Sequence, residues 1–520
     1  FKMVTGIGAL SEGELQPTET INDEGYFTKY NKDESTAPKC WISASARSKH
    51  QNQTIIEGLN HSCNYFFYTI GDRLGEERLY RYASQLGLTS KTGIDLPGEV
   101  RSVVGCQTTL YDTTKAMNEA SQDTSLPIIV FNAIKKHLKN CGASRGLEYT
   151  DERLSACAKR LMDMAVNYSE SQWLDNMRTI LMEELNMSKE MVYLQAVIGD
   201  TYNYMNDIKW GGAQTILAAI GQSVTVLTPA AVARYVCAIA NGGYLLTPNI
   251  VSEITDSQGN VITRYDKEVE RQVVSESTAK QVLAMLEGVV TTGTGHNAYV
   301  AGYRVAGKTG TSETIETTQT DRFVASFCGI APVDDPQIVV LVMIDHPDQR
   351  IATASGGRQA APAAAEIIEK TLEYMGVERR YTEQEQSNFL AQSPVPKLTD
   401  KSIAEAIAAL DSVGLKCKVV GDYTEGEEHK TTIVQQMPAE GIIVNRNSQV
   451  ILYVGEVPET KTTVKVPDLV GSSLADAYVL LKERGLSMIA KQTGTVISQS
   501  IEPGTVVEEG TIVTLELNNE

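Results

Sequence analysis

No run of about 18 apolar residues occurs in the 520-residue chain, so no stretch of it reads as a membrane-spanning helix. A secretory signal is missing as well. The chain opens at Phe1-Lys2-Met3-Val4, without an initiator methionine, and reads as the inside of a helix, so a membrane anchor is expected upstream of this fragment. Positive charge is scarce: 46 Lys+Arg against 65 Asp+Glu give a net charge of −19. Such a surface repels phosphate backbones, and without a local basic patch a nucleic-acid partner is excluded. The cysteines at 40, 63, 106, 141, 157, 237, 328 and 417 include no C-x-x-C pair. That spacing speaks against a disulfide framework or zinc ribbon and for buried thiols acting as small apolar residues.

What is present is ordinary globular composition, 42% hydrophobic and 21% charged, over a length that implies three or four folding units. The tail repeats itself. Val395-Pro396-Lys397-Leu398 returns 71 residues later as Val466-Pro467-Asp468-Leu469, and Gly414-Leu415 returns as Gly485-Leu486. Each copy then runs through a proline-glycine turn into an alternating strand, and the first carries a longer loop at Tyr423 to Lys430. The order resembles PASTA repeats, expected at 395–455 and 464–520, behind a polar linker at 376–394. Residues 107–209 read as helical almost throughout. Thr150 before Asp151-Glu152 and Ser169-x-x-Gln172 are helix-start signals, and Trp173, Met177, Ile180, Leu181 and Leu185 recur at helical spacing, which predicts about four amphipathic helices between 125 and 206.

Three short elements carry chemistry. Lys2 sits at the start of a helical pattern. Ser62-Cys63-Asn64 follows a helical stretch, and Lys308-Thr309-Gly310-Thr311 follows the strand-like Tyr303-Arg304-Val305. S-x-x-K, S-D-N and K-T-G form the set shared by penicillin-binding proteins and class A β-lactamases. A serine hydroxyl is a weak nucleophile until a neighbouring base takes its proton, which a lysine one helical turn away does once its pKa falls. A second serine can relay that proton, an asparagine amide can hold a peptide bond, and a lysine with two threonines offers charge and hydroxyls to a carboxylate. A second Lys-Thr-Gly, at 91–93, runs into Ile94-Asp95-Leu96-Pro97-Gly98, a turn, and is assigned no role.

Further segments extend the pattern: Gly93-Ile94-Asp95-Leu96-Pro97-Gly98-Glu99, then Ile220-Gly221-Gln222-Ser223 with Thr228-Pro229 and Ala240-Asn241-Gly242-Gly243, then Val289 to Gly295, and finally Gly329-Ile330-Ala331-Pro332. In this order they resemble class B penicillin-binding proteins over roughly 1–375, with 107–209 as a helical insertion. The resemblance implies an α+β penicillin-binding-protein/β-lactamase-like transpeptidase fold, a five-stranded antiparallel sheet packed by helices beside an all-helical lobe. It implies a serine D,D-transpeptidase that joins peptidoglycan stem peptides, is acylated by β-lactams, and works beside a membrane glycosyltransferase at the extracytoplasmic face of the bacterial membrane. Lys2 would be the base, Ser62 the relay and Asn64 an amide ligand. Lys308, Thr309, Gly310 and Thr311 would bind the terminal carboxylate and support the oxyanion. The family helix reads S-T-F-K, which puts the nucleophile two positions before Phe1. Ser223 departs from the family by standing where a third glycine is usual.

Two more readings remain. Cys40 and Cys63 form either a redox-controlled pair or two buried thiols. The chemistry requires no cofactor, but Asp345, His346 and Asp348, where an apolar strand ends, are read as zinc ligands, with Asp321 placed across a hairpin from His346. One rival belongs to another class. Gly302 to Thr309 fits the P-loop expression, but the β-branched residues after it are poor helix formers, and a P-loop needs a helix N-terminus there.

Overall fold

The computed structural model describes residues 1–46, 48–313, 323–347, 355–382, 384–385, 390–424, 426–455 and 462–518. Two units separate, one of Phe1–Val300 with Arg304–Val377, the other of Ala301–Tyr303 with Glu378–Glu520.

In the first unit the apolar helix α1 (Lys2–Ser11) buries Met3, Val4 and Ile7 against α3 (Asn64–Gln85), whose Phe66, Phe67 and Ile70 are wholly enclosed. The short α2 (Ile55–Asn60) precedes α3 and starts on a Thr54/Glu57 capping box. The first long helix of the middle block, α4 (Leu126–Ala143), is followed by the long helices α5 (Asp151–Asn167), α6 (Glu170–Leu185) and α7 (Gln195–Asp207). Both start signals hold: the Thr150 hydroxyl accepts from Arg153 N–H, and Ser169 and Gln172 make a capping box. Trp173, Met177, Leu181 and Leu185 turn inward with Ile134, Leu138, Leu161 and Val192, so this block closes a core of its own. Its stripes are packing surfaces.

The remainder builds a sheet. After α8 (Pro229–Ala240), β1 (Tyr244–Thr247) pairs antiparallel with β2 (Glu268–Gln272), and α9 (Glu276–Thr291) follows. Then β3 (Ala306–Glu313), β4 (Phe323–Ala331) and β5 (Ile338–Asp345) form one antiparallel ladder with β4 in the centre. Among the described residues this ladder holds three strands where five were expected. β1 and β2 stay apart from it: a register shift breaks their pairing at Leu245/Leu246, and Arg234 of α8 ties them down by donating to Leu246 O and pairing with Glu270. α10 (Ala361–Tyr374) packs on β4 and β5.

The second unit carries the repeats. The first is α11 (Ile403–Ser412), β6 (Lys416–Val420), β7 (Ile433–Met437) and β8 (Gln449–Val454). The second is α12 (Leu474–Glu483), β9 (Ser487–Ile489), β10 (Thr495–Gln499) and β11 (Ile512–Asn518). In both, the last strand pairs parallel with the first and antiparallel with the second. Leu398, Leu410 and Leu415 fill the first core, and Leu469, Leu481 and Leu486, each 71 residues on, fill the second.

Candidate active site

The S-C-N element is a tight link between two helices. Ser62 N–H donates to Leu59 O and Cys63 N–H to Gly58 O, closing α2, and Cys63 then caps α3, its sulfur accepting from Phe66 N–H at 3.4 Å. The turn forces Ser62 to φ +51, the left-handed region that non-glycine residues seldom occupy. The same turn sends Ser62 and Asn64 to one side and Cys63 to the other.

On the first side stand two lysines. Lys2 Nζ donates to Ser62 O at 2.7 Å, Ser62 Oγ at 3.0 Å and Asn64 Oδ1 at 2.6 Å. Lys308 Nζ, from β3, reaches the same Ser62 Oγ at 3.0 Å and Thr309 O at 3.1 Å. One hydroxyl thus bridges two ammonium groups. Burial, against the smaller opposing pull of the Cys40 and Cys63 sulfurs, brings Lys2 down to about 8. Burial, and then the charge of Lys2, holds Lys308 well below the usual lysine value. Two buried cations this close favour release of a proton, and a neutral Lys2 is a base within reach of Ser62.

β3 also presents Thr309, Gly310 and Thr311. Thr311 Oγ1 accepts from Gly356 N–H at 3.1 Å, and Thr309 Oγ1 lies 3.0 Å from Thr294 Oγ1. Gly310 has no room for a side chain, since a Cβ there would meet Ser326 Oγ at 2.5 Å. Sequence reasoning names Lys2, Ser62, Asn64, Lys308, Thr309 and Thr311, and the fold gathers them from three segments. The other Lys-Thr-Gly is a turn: Glu99 clasps Thr92 N–H and hydroxyl, both at 2.6 Å, and Gly93 N–H at 3.1 Å. The P-loop match ends inside β3, a strand where phosphate binding needs a helix N-terminus.

Behind the S-C-N turn lies an arrangement that motif reading misses. Asp23, Cys40, His50 and Cys63 are all buried and each points one donor atom at the others. Asp23 Oδ2 is 3.4 Å from His50 Nδ1 and 3.8 Å from Cys63 Sγ, while Cys40 Sγ is 3.6 Å from His50 Nδ1 and 3.8 Å from Cys63 Sγ. Around a tetrahedral zinc with bonds of about 2.0–2.3 Å, ligand–ligand edges come to about 3.3–3.8 Å. These four separations fall in that range, all four donors lie within 4.8 Å of one another, and two sulfurs, an imidazole and a carboxylate are a zinc-type set. The hydrogen bond from Cys63, joined by one from His50, holds the Cys40 thiol well below its usual value against burial, and the same bond to Cys40, together with burial, pushes Cys63 up. His50 is raised to about 9 because its bonds to Asp23 and Cys40 outweigh burial. Neither cysteine is in a disulfide and both are buried, and each faces polar donors. No sequence signal joins the four: the intervals run through Asp23, Cys40, His50 and Cys63 without a short ligand pair.

The zinc reading at the strand end stands differently. Asp345 Oδ1 and His346 Nδ1 are 2.8 Å apart, with side chains 71% and 41% exposed, and Asp348 lies outside the described residues. The proposed partner across the hairpin is corrected. Val324 pairs with Asp345, and His346 N–H donates to Phe323 O, so Phe323 stands opposite His346 in place of Asp321. The ladder closes at Ala331↔Ile338, two positions out of step with a register that would set Asp321 against His346.

Comparison with known proteins gives a family. The profile described as "Penicillin binding protein transpeptidase domain" matches residues 1–119 and 190–369, and the PASTA domain profile matches 393–456 and 464–519. Stage V sporulation protein D of Bacillus subtilis is 27% identical over 465 residues, covering 88% of this chain and 54% of that protein. Penicillin-binding protein PbpB of Mycolicibacterium smegmatis is 36% identical over 172 residues, 31% of this chain and 26% of that protein. The crystal structure of penicillin binding protein 3 from Mycobacterium tuberculosis, complexed with aztreonam, covers 73% of this chain and 62% of its own, with 21% identity and a TM-score of 0.46. The chain therefore spans about half the length of the first of these relatives and about a quarter of the second. No helix among the described residues is long and apolar enough to cross a membrane.

Proposed function

The chain belongs to the penicillin-binding-protein transpeptidase family and carries two PASTA domains, and from that premise we propose that it is a class B peptidoglycan D,D-transpeptidase that works through a serine acyl-enzyme. The observation that carries this reading is Ser62 Oγ, 3.0 Å from each of two lysine nitrogens supplied by segments remote in sequence.

The nucleophilic serine, two positions before Phe1, attacks the D-Ala-D-Ala carbonyl of a stem peptide. Neutral Lys2 takes its proton and hands it to Ser62 Oγ as Ser62 gives its own proton to the departing D-alanine amine. Asn64 gives its amide oxygen to Lys2, which leaves its N–H groups for the substrate's peptide carbonyl. Lys308, Thr309 and Thr311 receive the terminal carboxylate, and backbone N–H groups along β3 support the oxyanion. An amine of a neighbouring stem then takes the acyl group. The substrates are peptidoglycan stem peptides at the extracytoplasmic face of the bacterial membrane, β-lactams are covalent inhibitors, and a membrane glycosyltransferase that makes the glycan is the partner.

The reaction itself needs no cofactor. We place a zinc ion on Asp23, Cys40, His50 and Cys63, a closed four-ligand set of structural type that would fix Cys63 and, through it, Ser62 and Asn64. Asp345 and His346, exposed at the strand end, are the alternative ligands.

Intact-mass analysis after benzylpenicillin, on the chain with the residues upstream of Phe1 present, tests the reading. One penicillin adduct per chain is expected; an unmodified mass contradicts it.

A further inference from the structure

Thr294 lies in the Gly293-Thr294-Gly295 turn that follows α9, and the mechanism above gives it no part. It is nevertheless where three walls of the cleft meet. Its N–H donates to Asn60 O at 2.9 Å, two residues before Ser62. Its hydroxyl lies 3.0 Å from Thr309 Oγ1 on β3. Its carbonyl faces Gly357, where a Cβ would approach Thr294 O to 2.1 Å, and the neighbouring Gly356 N–H donates to Thr311 Oγ1. The turn also fits tightly beneath the S-C-N segment, since a Cβ on Gly293 would meet Asn60 O at 2.5 Å.

From this we infer that Thr294 is a positioning residue that orients the Thr309 hydroxyl toward the substrate carboxylate; the inference rests on the transpeptidase reading. Thr309 Oγ1 has two lone pairs and one proton. Lys308 Nζ, at 3.4 Å, directs an N–H at one lone pair. If the Thr294 hydroxyl donates to the other, the Thr309 proton is left as the only polar function facing outward. A carboxylate arriving there needs a donor, so its charge selects this direction for the threonine pair. Without the Thr294 hydroxyl, the Thr309 proton is free to rotate and the carboxylate meets an unaligned group.

The test compares Thr294→Val, Thr294→Ser and the parent, all as the full chain with its upstream residues. The rate of benzylpenicillin acylation is measured beside that of its carboxylate methyl ester. Loss of the neutral hydrogen bond that aligns the Thr309 donor predicts that Thr294→Val acylates about 5- to 10-fold more slowly with benzylpenicillin. The loss should appear in the concentration needed for half-saturation, the ester rate should change less than about twofold, and Thr294→Ser should recover the parent behaviour. The melting temperatures should agree, because valine matches threonine in shape. Equal loss for acid and ester, or a serine variant as slow as the valine, overturns the assignment. So does a valine variant as fast as the parent. A parent that takes up no penicillin overturns the transpeptidase reading itself, and this inference with it.

Discussion

Two clusters of side chains share one tripeptide, and they differ in almost every respect. On the cleft side, Ser62 and Asn64 meet Lys2 and Lys308, groups that are cationic, hydrogen-bonded to oxygen and depressed in pKa by burial. On the other side, Cys63 meets Cys40, His50 and Asp23, a set rich in sulfur and acidic character whose donors face one another. Alternation along Ser62-Cys63-Asn64 keeps the two apart while coupling them through the backbone. The cationic side offers a proton acceptor and anion ligands, so it suits acyl transfer. The sulfur side offers four convergent lone pairs and no open position, so it suits a structural metal. Whatever fixes Cys63 also fixes Ser62 in its left-handed conformation.

The sharpest way to break this division is to remove its cleft-side members. Lys2→Ala or Ser62→Ala should slow penicillin acylation by about three orders of magnitude, the middle of the range for loss of a general acid or base. Metal content and melting temperature should stay at parent values. Unchanged labelling in the stopped-acylation assay would contradict the assignment of these residues.

The opposite substitution acts in the opposite order. Cys63→Ser should lose the metal, lower the melting temperature by about 5–10 °C, and slow acylation at least tenfold through misplacement of Ser62. Calorimetry with metal analysis checks it. A variant of parent stability and parent metal content would show that Cys63 is packing only.

A change of pH sharpens the comparison without mutation. Lys2 is lowered to about 8, and its neutral form is the base, so the acylation rate should rise about tenfold between pH 7 and 9 and fall on acidification. A rate flat across that range contradicts Lys2 as the base. The smallest effect is expected from the second unit. Deleting 395–520 should change acylation less than about twofold, because every group named in the cleft belongs to the unit that ends at Val377.

The same contrast explains what the sequence alone makes legible. The cleft is read from short motifs because acyl transfer demands given residue types at the start of a helix, in a helix-linking turn and on a strand edge, in chain order. The PASTA cores are legible because an offset of 71 places leucines in equivalent sites. Capping at Thr150 and Ser169 is local chemistry and reads directly. The Asp23, Cys40, His50 and Cys63 set is not legible, since its members come from loops and a helix cap with no fixed interval, and only tertiary packing brings their donor atoms within 4.8 Å of one another. The pairing of His346 fails for a simpler reason: a hairpin's register follows from the point on which its turn centres, and setting Asp321 against His346 puts that point one residue too early. The separation of β1 and β2 from the main sheet depends likewise on the long-range ties of Arg234.

The claim that two different centres share the S-C-N tripeptide is tested most directly by zinc-edge X-ray absorption on the purified protein. The account predicts one zinc per chain with two sulfur ligands at about 2.3 Å and two nitrogen or oxygen ligands at about 2.0–2.2 Å. A protein without stoichiometric zinc, or a zinc shell of nitrogen and oxygen only, would contradict it.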